Sequence, residues 1–192
     1  MLRTLARLTT DRVAGRFAVM AGAVMAVGGA IYATRPDVQS ERVTEPVEHA
    51  ILVILAGLLL LAIPPVIALG RRAGGAWGPR AAAVAVTGQV ALAITCTVSN
   101  LNSGDPDWFV VAAPLANLLW LGGWVTLAVL LARSGAVARW IAIALPLSWA
   151  LLLPGSVLGL GLVAGAYWIA LGTMMAGGTL ARRRPEVLAQ AS

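Results

Sequence analysis

From Ala50 to Gly70 the chain runs for 21 residues without a charged side chain. As an α-helix that is about 31 Å long, the thickness of a bilayer's hydrocarbon core. In hydrocarbon only a helix or a closed barrel satisfies its own backbone, and strands of about ten residues do not build a run of this length. The feature recurs. Apolar segments at about 13–34, 47–70, 81–99, 108–132, 138–153 and 156–178 are separated by short polar connections, the longest of them Thr34 to His49. The expected fold is an all-α integral membrane protein, one domain over 1–192, built as a bundle of six transmembrane helices. The number is five if the N-terminal span or the short fifth one is not a span.

The composition agrees. Mean hydropathy is +0.86, and only 11% of residues are charged against 59% hydrophobic. No polar connection is long enough for a core of its own, so function has to sit in the bilayer, at its surfaces or on a partner. All 14 basic residues are Arg, which reads as coding bias and resembles small multi-span bacterial membrane proteins in composition alone. With no Lys, Schiff-base and lysine-nucleophile chemistry are excluded. One Cys, Cys96, rules out an internal disulfide, and one His, His49, leaves no paired axial ligands for haem and no zinc cluster. No metal, no cofactor and no nucleic-acid partner is expected.

Charge fixes the orientation. With both termini inside, twelve Arg fall on the cytoplasmic side and only Arg35 and Arg42 outside, while six of the eight acids lie outside. By the positive-inside rule the chain is a multi-pass protein of the cell membrane with both termini cytoplasmic. Met1 to Arg16 reads as a basic amphipathic lead on the inner headgroups, followed by an uncleaved first span.

Local signals mark the ends of the spans. Pro46 suits the first turn of the second helix, with Glu48 near its positive end. Pro64 and Pro65 release the carbonyls of Leu60 and Leu61, as a static bend or a hinge. Gly74, Gly75, Gly78 and Pro79 mark a basic loop before the third span. In Asn100 to Asp107, Asp105-Pro106 reads as an N-cap with Pro at N1, and Trp108 opens the fourth span. Pro154-Gly155-Ser156 separates the fifth span from the sixth. Small-residue rows (Ala18, Gly22, Ala26, Ala30; Gly161, Gly165, Gly172) allow close helix contacts, within the chain, with a membrane-protein partner or in a homo-oligomer.

Two groups of residues carry the candidate chemistry. The first is an outer acidic rim: Glu45 and His49 share a helical face if both are helical, Glu48 lies beside them, and Asp105 and Asp107 lie on the same side. A carboxylate–imidazole pair there can act as acid and base, although the same acids also suit capping and topology. The second lies at mid-depth. Asn117, Trp120 and Trp124 share a face, Gln89 sits near the centre of its span, and Trp149 and Trp168 also lie away from the interfaces. A Trp-lined cavity with one or two amides suits a flat or isoprenoid-like lipophile; the same rings equally fill the space left by Gly and Ala rows. No ionisable residue lies in the middle third of any span, which argues against an ion-coupled pump.

Three functions remain open. One is a non-catalytic membrane component or accessory subunit working through its Gly/Ala faces. Another is a carrier or exporter of a small lipophilic compound. The last is a membrane-embedded enzyme with cyclase- or isomerase-like acid–base chemistry on an isoprenoid or lipid substrate, using Glu45, Glu48, Asp105 or Asp107.

Overall fold

The computed structural model describes residues 11–34, 43, 45–152 and 158–180. These form seven helices: α1 (Asp11–Thr34), α2 (Pro46–Leu61), α3 (Ile63–Ala73), α4 (Trp77–Asn102), α5 (Phe109–Ser134), α6 (Arg139–Leu152) and α7 (Gly161–Ala176). With α2 and α3 taken as one bent helix there are six. Four of the six, Asp11–Thr34, Pro46–Ala73, Trp77–Asn102 and Phe109–Ser134, are long and apolar enough to cross a membrane. The other two, α6 and α7, are shorter apolar helices of 14 and 16 residues. The turn at Pro154-Gly155-Ser156, residues 1–10 of the basic lead, most of the polar connection Thr34 to His49, and the arginines at 182–184 lie outside the described residues, whereas the rest of the lead, from Asp11 to Arg16, already belongs to α1.

Several boundaries differ from those the sequence suggests. The second helix breaks at Ala62, next to the Leu60 and Leu61 carbonyls that the prolines are expected to release, and Pro64 and Pro65 occupy the first turn of α3, where a missing N–H costs least. Ala62 still donates to the Leu58 carbonyl at 3.0 Å, and its own carbonyl accepts the Val66 N–H at 3.2 Å. Gly78 and Pro79 belong to the first turn of α4, not to the loop before it. Asp105 is not an N-cap: α5 begins at Phe109, after Trp108, and the Phe109 N–H bonds the Pro106 carbonyl at 2.8 Å. α7 begins only at Gly161, after a turn at residues 158–160 in which Gly159 takes a φ of +69°.

Glycine decides how the helices pack. α1 lies antiparallel on α7, its most extensive partner. Gly15 faces Gly172, Gly22 faces Gly165 and Gly29 faces Gly161. A methyl group on Gly22 would stand 2.6 Å from the Gly165 carbonyl oxygen, and one on Gly165 the same distance from that of Gly22. The two backbones touch, with no side chain between them. α4 and α5 form a second pair, where Gly88 meets Ala116 and Trp120 and Gly123 meets Ala85. The glycine rows are therefore spent inside the molecule.

The antiparallel order gathers charge at the two ends. At one end the Arg72 guanidinium holds the Asp11 carboxylate at 2.7 Å, tying the start of α1 to the end of α3. Arg80 lies over the Trp77 ring at 5.2 Å, beside the same connection. The opposite end carries Glu45, Glu48, His49, Asp105 and Asp107.

Candidate functional site

The acidic end is held by four contacts. Glu48, in the first turn of α2, accepts the Glu45 backbone N–H at 2.9 Å. Glu45 is itself the extended N-cap residue, with φ −102° and ψ 149°. It is not helical, so the expected Glu45–His49 face does not form. The His49 ring reaches Asn100 at the end of α4 instead, with Nδ1 2.7 Å from the amide oxygen. With that oxygen as acceptor, Nδ1 carries the proton. The Asp105 carboxylate accepts the Ser99 hydroxyl at 2.5 Å, closing the turn that links α4 to α5. Ser103 at the start of that turn is left-handed, with φ +54°, and its carbonyl accepts the Val43 N–H at 3.3 Å.

This turn and the first turns of α5 enclose an open groove of about 820 Å³, within the range of small-molecule sites. Asp105 and Asp107 stand at its mouth, Phe109, Val110, Ala113 and Pro114 form apolar walls, and Asn117 lies deepest along α5. Pro114 has no N–H, so the Val110 carbonyl in the groove loses its helical partner and is left as an acceptor. Asn117 is fixed from both ends. Its amide nitrogen donates to the Ala113 carbonyl at 2.9 Å, and its oxygen accepts the Trp149 indole N–H from α6 at 3.1 Å. Asp105, Asp107 and Asn117, which the sequence places in separate groups, thus line one site. The sequence reading missed Phe109, Val110 and Pro114; a proline four residues after a carbonyl at the mouth of a span was the available signal.

The remaining mid-depth candidates do not line that groove. Trp120, Trp124 and Trp168 are wholly buried and stacked in series. Trp120 meets Trp124 edge-on at 5.1 Å, and Trp124 meets Trp168 at 5.5 Å. Their rings touch no space that admits a water, so they fill the volume between the small-residue rows. Trp168 donates to the Ser148 hydroxyl at 3.2 Å, and beside it the Tyr167 hydroxyl donates to the Ile141 carbonyl at 2.9 Å. Gln89 is also wholly buried. Both polar atoms of its amide and the indole nitrogens of Trp120 and Trp124 lack hydrogen-bond partners. Each such group costs about 1–3 kcal/mol.

Among the described residues no three His, Cys, Asp or Glu side chains gather at metal-binding distance. Cys96 is a buried free thiol inside α4. Comparison with protein families, with curated proteins and with solved structures finds no match to this chain.

Proposed function

We propose that the protein is a non-catalytic multi-pass membrane protein, with both termini cytoplasmic, that binds and carries a small amphiphile with a cationic head. The observation that carries this reading is the groove at the acidic end. It has carboxylates at the mouth, hydrocarbon walls and one backbone carbonyl, that of Val110, left without its helical partner by Pro114. Such a lining matches an ammonium or similar head above an apolar body. The gathering of Arg12, Arg16, Arg71, Arg72, Arg80, Arg133 and Arg139 at the opposite end supports an inner face there.

The bonding at the rim favours binding over acid–base catalysis. His49 is engaged with an amide rather than a carboxylate, Glu48 holds the start of α2, and Asp105 holds Ser99. Because the glycine faces are used between α1 and α7 and between α4 and α5, they lend no support to an accessory-subunit reading.

The test is equilibrium binding of tetraphenylphosphonium, a lipophilic cation, to the full chain in lipid nanodiscs. Removing one charge at close range, in Asp107→Asn, should weaken binding by roughly five- to thirtyfold, since a pair near a surface contributes on the order of 1–2 kcal/mol. Equal affinity for parent and variant would sink the reading. So would equal affinity for an anionic probe of the same size, tetraphenylborate.

A further inference from the structure

A second cavity lies between α1 and α2, smaller than the groove and without a carboxylate in its lining. It encloses about 180 Å³. Its walls come from Met25, Gly28 and Tyr32 on α1 and from Ile51, Ile54 and Leu58 on α2, with α6 and α7 closing it behind. An apolar cavity of about 150 Å³ takes a benzene-sized guest, so this one, mostly apolar in its lining, has room for a stretch of hydrocarbon. Gly28 helps keep it open: a methyl group there would press on the Ile54 side chain across it at 3.3 Å. Left empty, the walls forgo packing contacts in proportion to the volume.

The cavity has a direction. Tyr32 and Ile51 lie at the acidic end of the bundle, near the end of α1 and the start of α2, whereas Met25 and Leu58 lie deeper. Its long axis therefore runs along the helices for about 10 Å, from Ile51 to Leu58 at ~1.5 Å per residue. The one hydroxyl in the lining, that of Tyr32, is at the shallow end and has no hydrogen-bond partner among the described residues. A mostly apolar cavity with a single side-chain hydroxyl at its interfacial end suits a lipid chain below its ester.

We propose that this cavity binds one hydrocarbon chain of an outer-leaflet lipid, its ester oxygen accepting the Tyr32 hydroxyl proton. The proposal rests on the membrane-spanning reading but not on the cation groove. The probe is phosphatidylcholine carrying a diazirine in one acyl chain, in vesicles holding the full-length protein. After photolysis, adducts on Met25, Ile51 and Leu58 should exceed those on Leu118, an exposed apolar residue of α5. Gly28→Val adds the volume of about three methylenes, so labelling in the cavity should fall about tenfold or more, while labelling at Leu118 is unchanged. Gly28→Ala serves as the milder filler if Gly28→Val does not fold. Tyr32→Phe should lower cavity labelling by about fivefold, the worth of one hydrogen bond.

Cavity labelling no greater than at Leu118, or unmoved by either filler, would overturn the site while leaving the membrane reading intact. Absence of label at Leu118 as well would remove the membrane reading itself.

Discussion

Replacing Gln89 by leucine should make the protein more stable, against the usual direction of core substitutions. In the folded state the amide is wholly buried and neither its nitrogen nor its oxygen has a partner. Leucine fills a similar volume without polar atoms. Releasing the unsatisfied amide is worth about 1–3 kcal/mol. The change of shape in a close-packed site returns up to about 1.5 kcal/mol. A net gain of about 1–2 kcal/mol follows from these two terms, and in a chain of this size it raises Tm by roughly 2–8 °C.

The measurement is helix loss by circular dichroism in detergent micelles, with Gln89→Ala as the size control. Alanine removes the same amide but leaves a hole, which costs about 2–5 kcal/mol relative to leucine. The expected order is Leu above the parent and Ala below the Leu variant. If Gln89→Leu melts lower than the parent by several degrees, the amide has a partner in solution. A trapped water bridging it to the Trp120 or Trp124 indole would be the first suspect, and the reasoning from orphaned groups would be refuted.

Other outcomes follow from single contacts. Gly22→Ala puts a methyl group against the Gly165 backbone and should destabilise by about 1–3 kcal/mol. Gly57→Ala, which meets open space, should stabilise by up to about 1 kcal/mol through helix propensity; equal effects at the two positions would contradict the α1–α7 contact. A double-mutant cycle on His49→Ala and Asn100→Ala should give a coupling of about 1 kcal/mol, and additive losses would mean the two side chains do not bond. Asp11→Asn should cost no more than about 1 kcal/mol, with the difference shrinking as salt is raised, because the Arg72 partner is a surface pair.

What the sequence by itself determined is the part governed by local chemistry. Uncharged runs of membrane length, arginines at alternate junctions and Pro46 at the start of α2 each act within one helix or at its ends. The helices are found where those signals place them, to within a few residues. The same local signals misled at Asp105-Pro106, where a capping pattern competes with a side-chain bond from Ser99 in the preceding helix. Helix α5 starts later as a result.

Only the tertiary structure decided which faces meet. The glycine rows read equally well as surfaces for a partner, and nothing in their spacing says that α1 would find α7 at the far end of the chain. Nor could the spacing of Asn117, Trp120 and Trp124 say where that shared face divides. Asn117 opens into a groove with two carboxylates, while one turn deeper the indoles are sealed against Trp168. The physical reason is the same in each case. Helix periodicity fixes the direction of a side chain relative to its own axis, whereas its partner depends on crossing angles set by backbone contacts between residues far apart in sequence. Gln89 shows the limit most clearly: a central amide in an apolar span is visible in the sequence, but whether anything bonds to it is settled only when α4 meets α5.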